Sequence, residues 1–220
     1  MRSPAAFARA SYYLGTMMTR SLLASLAGAI MALPAAAAPV SLDALSQYFN
    51  DFRTAEATFS QVNSDGSIST GQLFIHRPGR VRFEYDPPDE NIVVAGGGTV
   101  SVFDRKSNQG PQSYPLSRTP LNLILSREVD LTRSNMVIDH VRDDGRTVVV
   151  AQDPERPEYG TIEMVFTHDP IELRQWVITD DAGETTTVIL DEFTTGVSIA
   201  ARMFSLRHEI ETQGSPGATR

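Results

Sequence analysis

The chain of 220 residues contains no cysteine, and it carries too little positive charge for a nucleic-acid-binding protein. The absence of cysteine excludes disulfides, thiolate zinc sites, iron–sulfur ligands and cysteine nucleophiles. Nineteen basic residues stand against 27 acidic ones, and the formal net charge is −8. Because nucleic-acid binding needs a basic surface, we expect no nucleic-acid partner.

The motifs of common catalytic and nucleotide sites are also missing. The sequence contains no G-x-S-x-G, H-E-x-x-H, Walker or G-x-G-x-x-G pattern. The four histidines are scattered at His76, His140, His168 and His208, without the spacing of metal ligands. We therefore expect no catalytic residue, no metal site and no cofactor.

The first 38 residues are typical of a secretory signal peptide. Three arginines precede an apolar run from Ser21 to Leu33, and alanines follow at 35–38. The run is shorter than the ~20 residues that span a bilayer, although a short membrane anchor is the alternative interpretation. We expect cleavage after Ala38 or one residue earlier, and hence an exported protein.

The remaining chain reads as one domain over residues 39–206, followed by a C-terminal tail over 207–220. No linker, internal repeat or charge run divides it. The true start of translation stays open among Met1, Met17 and Met18, because the stretch before the apolar run is long for a signal peptide.

Apolar residues in the mature part mostly alternate with polar ones, which predicts half-buried antiparallel strands. Ser41 reads as the N-cap of a helix over about 42–52, because apolar residues follow it at helical spacing. Glycine-containing turns separate the later alternating segments. Strands are predicted near 54–63, 67–76, 80–86, 91–95, 99–104, 135–142, 146–152, 160–167, 171–180, 184–191 and 201–206. A sheet of about eleven strands with few helices must hide its edges, as a barrel or as a half-barrel covered by helices.

A short apolar helix interrupts the strands. Thr119 is expected as its N-cap and Pro120 as its first residue, with large aliphatic residues up to Leu125. A helix that is apolar on most sides must be buried, so it either covers the sheet or belongs to an ordinary core.

Arg77 is the basic residue of most interest, because it ends an alternating strand and precedes Pro78 and Gly79. One interpretation is a solvated turn arginine. The other is a guanidinium that donates to several backbone carbonyls of a covering helix, since arginine has five donors and stays charged. The residue alone does not decide between them.

The stretch from Gly71 to Tyr85 (GQLFIHRPGRVRFEY) closely resembles a signature of the periplasmic lipoprotein carriers of the LolA family. Further segments fall in the family's order and extend the resemblance over about 41–206. These segments are Pro88 with 92–98, then 100–104, 119–125, 173–186 and 203–206.

The resemblance implies a mainly β fold, an unclosed antiparallel β-barrel of about eleven strands with a helical lid. The family's lid-holding arginine falls on Arg77. The resemblance and the alternation together give an expected lining for an acyl-chain cavity. It consists of Phe52, Phe59, Phe74, Phe83, Tyr85, Val93, Phe103, Leu121, Ile124, Leu125, Met164 and Trp176.

The implied function is a monomeric periplasmic carrier of a Gram-negative bacterium. It would take acylated outer-membrane lipoproteins from an inner-membrane ABC-type releasing complex to an outer-membrane acceptor. Two other classes stay open from the residues. One is a lipid-binding adaptor β-domain tied to a membrane complex, and the other is a hydrolase of lipids or sugars, for which no nucleophile is visible.

Overall fold

The computed structural model describes residues 38–106 and 109–213. The predicted signal peptide, apart from Ala38, and residues 214–220 of the predicted tail lie outside the described residues. The predicted boundaries of the signal peptide and of the domain therefore stay predictions. Within the described ranges, no helix has the length and apolarity needed to cross a membrane.

Eleven antiparallel strands form one sheet in which β1 and β11 are neighbours in the middle. The strands are β1 (Thr54–Val62), β2 (Ile68–His76), β3 (Val81–Tyr85), β4 (Ile92–Gly96), β5 (Thr99–Phe103), β6 (Gln112–Pro115), β7 (Val137–Asp143), β8 (Arg146–Gln152), β9 (Thr161–Phe166), β10 (Leu173–Thr179) and β11 (Thr185–Thr195). The order is β6-β5-β4-β3-β2-β1-β11-β10-β9-β8-β7, which leaves β6 and β7 as edges. The barrel is unclosed, which confirms the predicted fold class.

In the part of the chain that the structure describes, three α-helices accompany the sheet: α1 (Leu42–Asp51), α2 (Asn122–Leu125) and α3 (Leu206–Gln213). The Ser41 hydroxyl caps α1 by accepting from the backbone N–H of Ala44 at 3.2 Å, as its sequence position predicts. Leu45 and Phe49 on α1 are buried, as are Ile124 and Leu125 on α2. Short 3-10 helices lie at Leu116–Arg118, Pro157–Tyr159 and Ala201–Phe204.

The concave face of the sheet carries the main core. Directly paired residues point to the same side of a sheet, so Leu73, Phe83 and Val93 share this face in register. They belong to one apolar cluster with Phe49 of α1 and Leu125 of α2. The two helices therefore cover the concave face, and we call α1 and α2 together the lid.

The convex face carries a second, smaller cluster near one edge. Ile92, Val94 and Phe103 are buried there, and Leu206 of α3 packs against them. Strands β4 and β5 are consequently buried on both faces. The C-terminal segment supplies the cover that the rest of the convex face lacks.

Two local predictions are wrong, and one strand was missed. The strand expected near 201–206 is the 3-10 helix Ala201–Phe204 followed by α3, because the backbone N–H groups of Met203 and Ser205 bond carbonyls three residues back. The short exposed strand β6 was not predicted. Thr119 ends the 3-10 helix before α2 and donates its hydroxyl to the Leu116 carbonyl at 2.9 Å, so it is not the N-cap of α2.

Candidate functional site

Arg77 joins the end of β2 to both helices of the lid. Its Nη2 and Nε donate to the carbonyl of Ser126, the C-cap of α2, at 2.8 and 3.2 Å. Its Nη1 donates to the carbonyl of Phe49 and, at 3.4 Å, to that of Phe52, the C-cap of α1. The last carbonyls of a helix have no partner within the helix, so one guanidinium satisfies the ends of two helices at once.

The clasp by Arg77 is buried and contains no counter-ion. Arg77 is only 2% exposed, and each hydrogen bond goes to a neutral oxygen. Burial, with a smaller contribution from the charge of Arg53, lowers the pKa of Arg77 to about 10. The side chain is therefore still protonated at neutral pH, where it complements the negative ends of the helices.

Asn50 strengthens the same junction. Its Oδ1 accepts from Arg77 Nη2 at 3.3 Å and from the backbone N–H of Val129 at 3.0 Å, and its Nδ2 donates to the Val129 carbonyl at 2.8 Å. The Ser46 hydroxyl accepts from the N–H of Leu131 at 2.9 Å. These bonds tie α1 to the segment that follows α2, so the two lid helices are connected to each other as well as to β2.

Four aromatic side chains meet beneath the lid on the concave face. The ring of Phe59 lies 5.4 Å from Phe83 and 5.2 Å from Tyr85, in edge-to-face geometry. The ring of Phe83 lies 6.4 Å from Trp176, which comes from the other half of the sheet and is 1% exposed. The interior of this closed state is thus filled by the protein's own rings, and a ligand has to displace the lid or rearrange these side chains to enter.

The structure brings ten of the twelve predicted lining residues into the concave cluster. They are Phe52, Phe59, Phe83, Tyr85, Val93, Leu121, Ile124, Leu125, Met164 and Trp176. That these residues line an acyl-chain cavity stays a prediction.

Phe74 and Phe103 lie on the other side of the sheet. Phe74 pairs with Arg82, and Phe103 pairs with Ile92 in the convex cluster. The alternation along each strand assigns neighbouring residues to opposite faces, and the concave positions are Leu73 and Val102 instead. The expectation that Phe74 and Phe103 face the cavity is therefore wrong for this state. The continuous apolar run of β4 was the sequence signal of burial on both faces.

Sequence reasoning missed the acceptors of the clasp. The acceptors are mostly backbone carbonyls, those of Phe49, Phe52 and Ser126. No pattern of side chains indicates which backbone carbonyls will accept. Asn50 has a polar side chain at the end of an amphipathic helix, and this was the one signal available for the junction.

The chain matches the family model described as outer membrane lipoprotein carrier protein LolA over residues 50–207. The chain belongs to the LolA family. A curated outer-membrane lipoprotein carrier protein from Azotobacter vinelandii is 26% identical over 184 residues, which cover 79% of this chain and 87% of the relative. One from Coxiella burnetii is 37% identical over 83 residues, 36% of this chain, and the match spans only 39% of that relative's length.

Solved structures similar to this LolA-family chain include a LolA superfamily protein from Nitrosomonas europaea. Its TM-score is 0.42 at 9% identity, and the match covers 77% of this chain and 99% of the other. An uncharacterized conserved protein from Thermus thermophilus has a TM-score of 0.44 at 12% identity, with 74% and 90% covered.

Proposed function

We propose that this protein carries acylated lipoproteins through the periplasm, from an inner-membrane ABC-type releasing complex to an outer-membrane acceptor. The observation that supports it most is the clasp by Arg77, which holds two short helices over a concave apolar face. Family membership supports a carrier role and not an enzymatic one, and the curated relatives are named as carriers of outer-membrane lipoproteins. The protein acts as a monomer on this proposal.

The cargo needs such a carrier because its chains cannot cross water alone. Each methylene removed from water contributes about 0.8 kcal/mol, so a chain of ~16 carbons exposes on the order of 12 kcal/mol of unfavourable hydration. The concave aromatic cluster offers apolar surface for such a chain once the lid moves away. The aliphatic residues Leu123, Ile124 and Leu125 of α2 then become part of the wall.

The clasp by Arg77 stabilises the closed lid and so opposes cargo binding. A hydrogen bond from a charged donor contributes about 1–3 kcal/mol net to stability. This is small against the free energy gained by burying an acyl chain. Cargo can therefore open the lid, and reclosure of the lid favours release to the acceptor. A carrier without this stabilisation of the closed lid would bind its cargo more tightly and deliver it more slowly.

The first test is purification of the exported protein from lipoprotein-producing cells, followed by mass spectrometry of what accompanies it. We expect acylated lipoproteins in the soluble fraction at a stoichiometry near one. Release of fatty acid or sugar products, or retention on membranes with an integral partner, would contradict the proposal and favour a hydrolase or an adaptor.

The second test compares Arg77→Leu with Arg77→Lys and with Arg53→Leu. Arg53 is exposed at the same end of the molecule, so its replacement removes an equal charge without breaking the clasp. We expect Arg77→Leu to slow hand-over to acceptor membranes about tenfold, which corresponds to ~1.4 kcal/mol of lost closing energy. Lysine keeps the charge but cannot bond both helix ends, so its effect is intermediate. Equal rates for Arg77→Leu and Arg53→Leu would contradict the role of the clasp.

A further inference from the structure

A pocket of about 310 Å³ lies at the end of the sheet opposite Arg77. It is formed where β1 ends and β2 begins, beside the end of β3, whereas Arg77 follows the last residue of β2. Its volume is at the lower end of the range for small-molecule sites. We call it the mouth pocket.

The apolar floor of the mouth pocket is continuous with the interior. Val93 and Val102 lie directly opposite each other on β4 and β5 and face the concave side. Tyr85 completes the floor, and its ring contacts Phe59 at 5.2 Å and Phe83 at 6.5 Å. The Tyr85 ring therefore lies between a chain on this floor and the interior aromatic cluster.

The Tyr85 ring is held by one polar contact at its tip. Its hydroxyl donates to Gln61 Oε1 at 2.8 Å. Gln61 is on β1, two strands from Tyr85 with β2 between them, and lines the pocket. Loss of this bond removes the polar contact that fixes the tip of the ring. Tyr85 is thus placed as a gate between the pocket and the interior.

The rim of the mouth pocket is polar and acidic. The Ser69 hydroxyl donates to Asp89 Oδ2 at 2.6 Å, and Asp86 beside it accepts from Thr70 at 2.7 Å. None of the described residues that line the pocket is basic. An anionic head, such as a fatty-acid carboxylate or a phospholipid phosphate, would meet acidic repulsion at this rim.

We propose that the mouth pocket receives one acyl chain with an uncharged amide or ester linkage, before the lid opens. This inference rests on the carrier function proposed above and specifies where the cargo first binds. The chain lies on Val93 and Val102 with its neutral linkage at the rim. Rotation of Tyr85 then lets it advance toward the interior cluster, and the clasp by Arg77 at the far end yields afterwards.

The test uses a peptide with one N-terminal palmitoyl amide and C-terminal lysines, with palmitate as the anionic comparison. We expect the purified full-length mature protein to bind the peptide at least tenfold more tightly than palmitate at neutral pH, by calorimetry. Asp89→Asn should narrow that difference by improving palmitate binding. Equal affinities in the wild type would overturn the proposed preference for an uncharged linkage.

Val102→Phe fills the pocket, and Val141→Phe makes the same change on the edge strand β7, where the side chain is 41% exposed. We expect Val102→Phe alone to weaken peptide binding at least tenfold. It should also slow loading with triacylated lipoprotein while the final amount loaded stays within twofold of wild type. Equal behaviour of the two variants would overturn the pocket, and wild-type loading in the same experiment would leave the carrier function standing.

Ile68→Asp gives a second variant that does not disturb the core, because Ile68 is 70% exposed at the lip of the pocket. Its control is Ile138→Asp on β7, which is 52% exposed. We expect weaker peptide binding only for Ile68→Asp, and equal binding by both would count against the pocket. If the wild type bound neither the peptide nor lipoprotein, the carrier function and the mouth pocket would both be wrong.

Discussion

Arg77 shows at the scale of one residue how a charge is kept inside an apolar core without an opposite charge. Four of its hydrogen bonds go to carbonyls at two helix ends and one goes to the side-chain oxygen of Asn50, so burial of the charge is balanced by hydrogen bonds to oriented dipoles. The sequence left two interpretations of this residue open. The decision depended on backbone oxygens far away in the chain, which side-chain patterns do not show.

Removal of the guanidinium should weaken the closed state measurably. For Arg77→Leu we expect the free energy of unfolding to fall by about 1–3 kcal/mol, because buried carbonyls at two helix ends lose their donor. Urea denaturation followed by circular dichroism measures this, with Arg53→Leu as the matched control. A change of less than 0.5 kcal/mol in Arg77→Leu would show that the clasp contributes little.

His76 gives the fold a modest dependence on pH. Burial, and then the nearby charge of Arg80, lower its pKa below 6.5 in the folded state. Since the unfolded chain then binds the proton more readily, stability is constant above about pH 7 and falls as the pH drops below 6.5. We expect a lower urea midpoint at pH 5.5 than at pH 7.5, and a smaller difference between the two in His76→Gln. An equal difference in both proteins would remove His76 as the cause.

Gly71 marks a place where the concave face has no room for a side chain. It pairs with Phe59 on one side and Tyr85 on the other, and an added Cβ would collide with the Glu84 carbonyl. We expect Gly71→Ala to destabilise the protein by about 1–3 kcal/mol through overpacking. Thermal unfolding measures the loss, and Gly110→Ala, which has open space around it, should be near neutral. Equal melting temperatures of the two variants would contradict this packing.

At the scale of elements, α3 is a docked part of the fold and not a loose tail as far as Gln213. Glu209 is 4% exposed and pairs with Arg82 of β3 at 3.0 Å, while Leu206 covers the convex cluster. Arg82 also donates to the carbonyl of Met203 at 3.1 Å. The pair therefore holds the C-terminal segment against the back of the strands that form the mouth pocket.

Removing one partner of the Arg82–Glu209 pair should lower the free energy of unfolding more than replacing both partners. We expect Glu209→Leu alone to lower the free energy of unfolding by about 1–3 kcal/mol, because Arg82 loses its buried carboxylate and keeps only the half-exposed Glu84, 2.6 Å from its Nε. The double variant Arg82→Met with Glu209→Leu should regain most of that loss. Chemical denaturation of the four proteins in the cycle measures the coupling. Additive losses in the double variant would mean that the two side chains do not depend on each other.

Helices and strands were predicted correctly where the alternation of apolar and polar residues was regular. The prediction failed where that alternation was short or misleading. The strands around Arg77 and the helix α1 are encoded by local periodicity, and the structure has them within a few residues. The segment Met203–Leu206 alternates like a strand, yet only Phe204 is buried there, under the turn of a 3-10 helix. All four residues of strand β6 are exposed, so no alternation of apolar and polar residues predicts it.

The assignment of faces was the least predictable property of the site. Phe103 follows Val102 directly, and alternation alone does not say which of the two faces the lid. The choice depends on register with β4 and on α3, most of which falls in the segment predicted to be a C-terminal tail. The expected lining placed two aromatic residues, Phe74 and Phe103, on the wrong side of the sheet.

At the scale of the whole molecule, the two faces of one curved sheet have different roles. Its convex face is stabilised at one edge by the C-terminal segment, and its concave face is closed by a lid clasped at one end and has a pocket at the other. On the proposed function, cargo advances along the concave face from the mouth pocket toward Arg77. On this proposal the sheet stays fixed while the lid changes position, so that binding and release use the same concave surface.

Trp176 is the only tryptophan of the chain and lies at the centre of the concave cluster, so its fluorescence reports directly on what enters. The decisive measurement is quenching of this fluorescence by a lipopeptide whose acyl chains are brominated, with the unbrominated lipopeptide as control. The account predicts strong quenching at one lipopeptide per protein, with acyl chains beneath the lid. Stoichiometric binding that leaves the fluorescence of Trp176 unquenched would place the chains elsewhere and contradict the account.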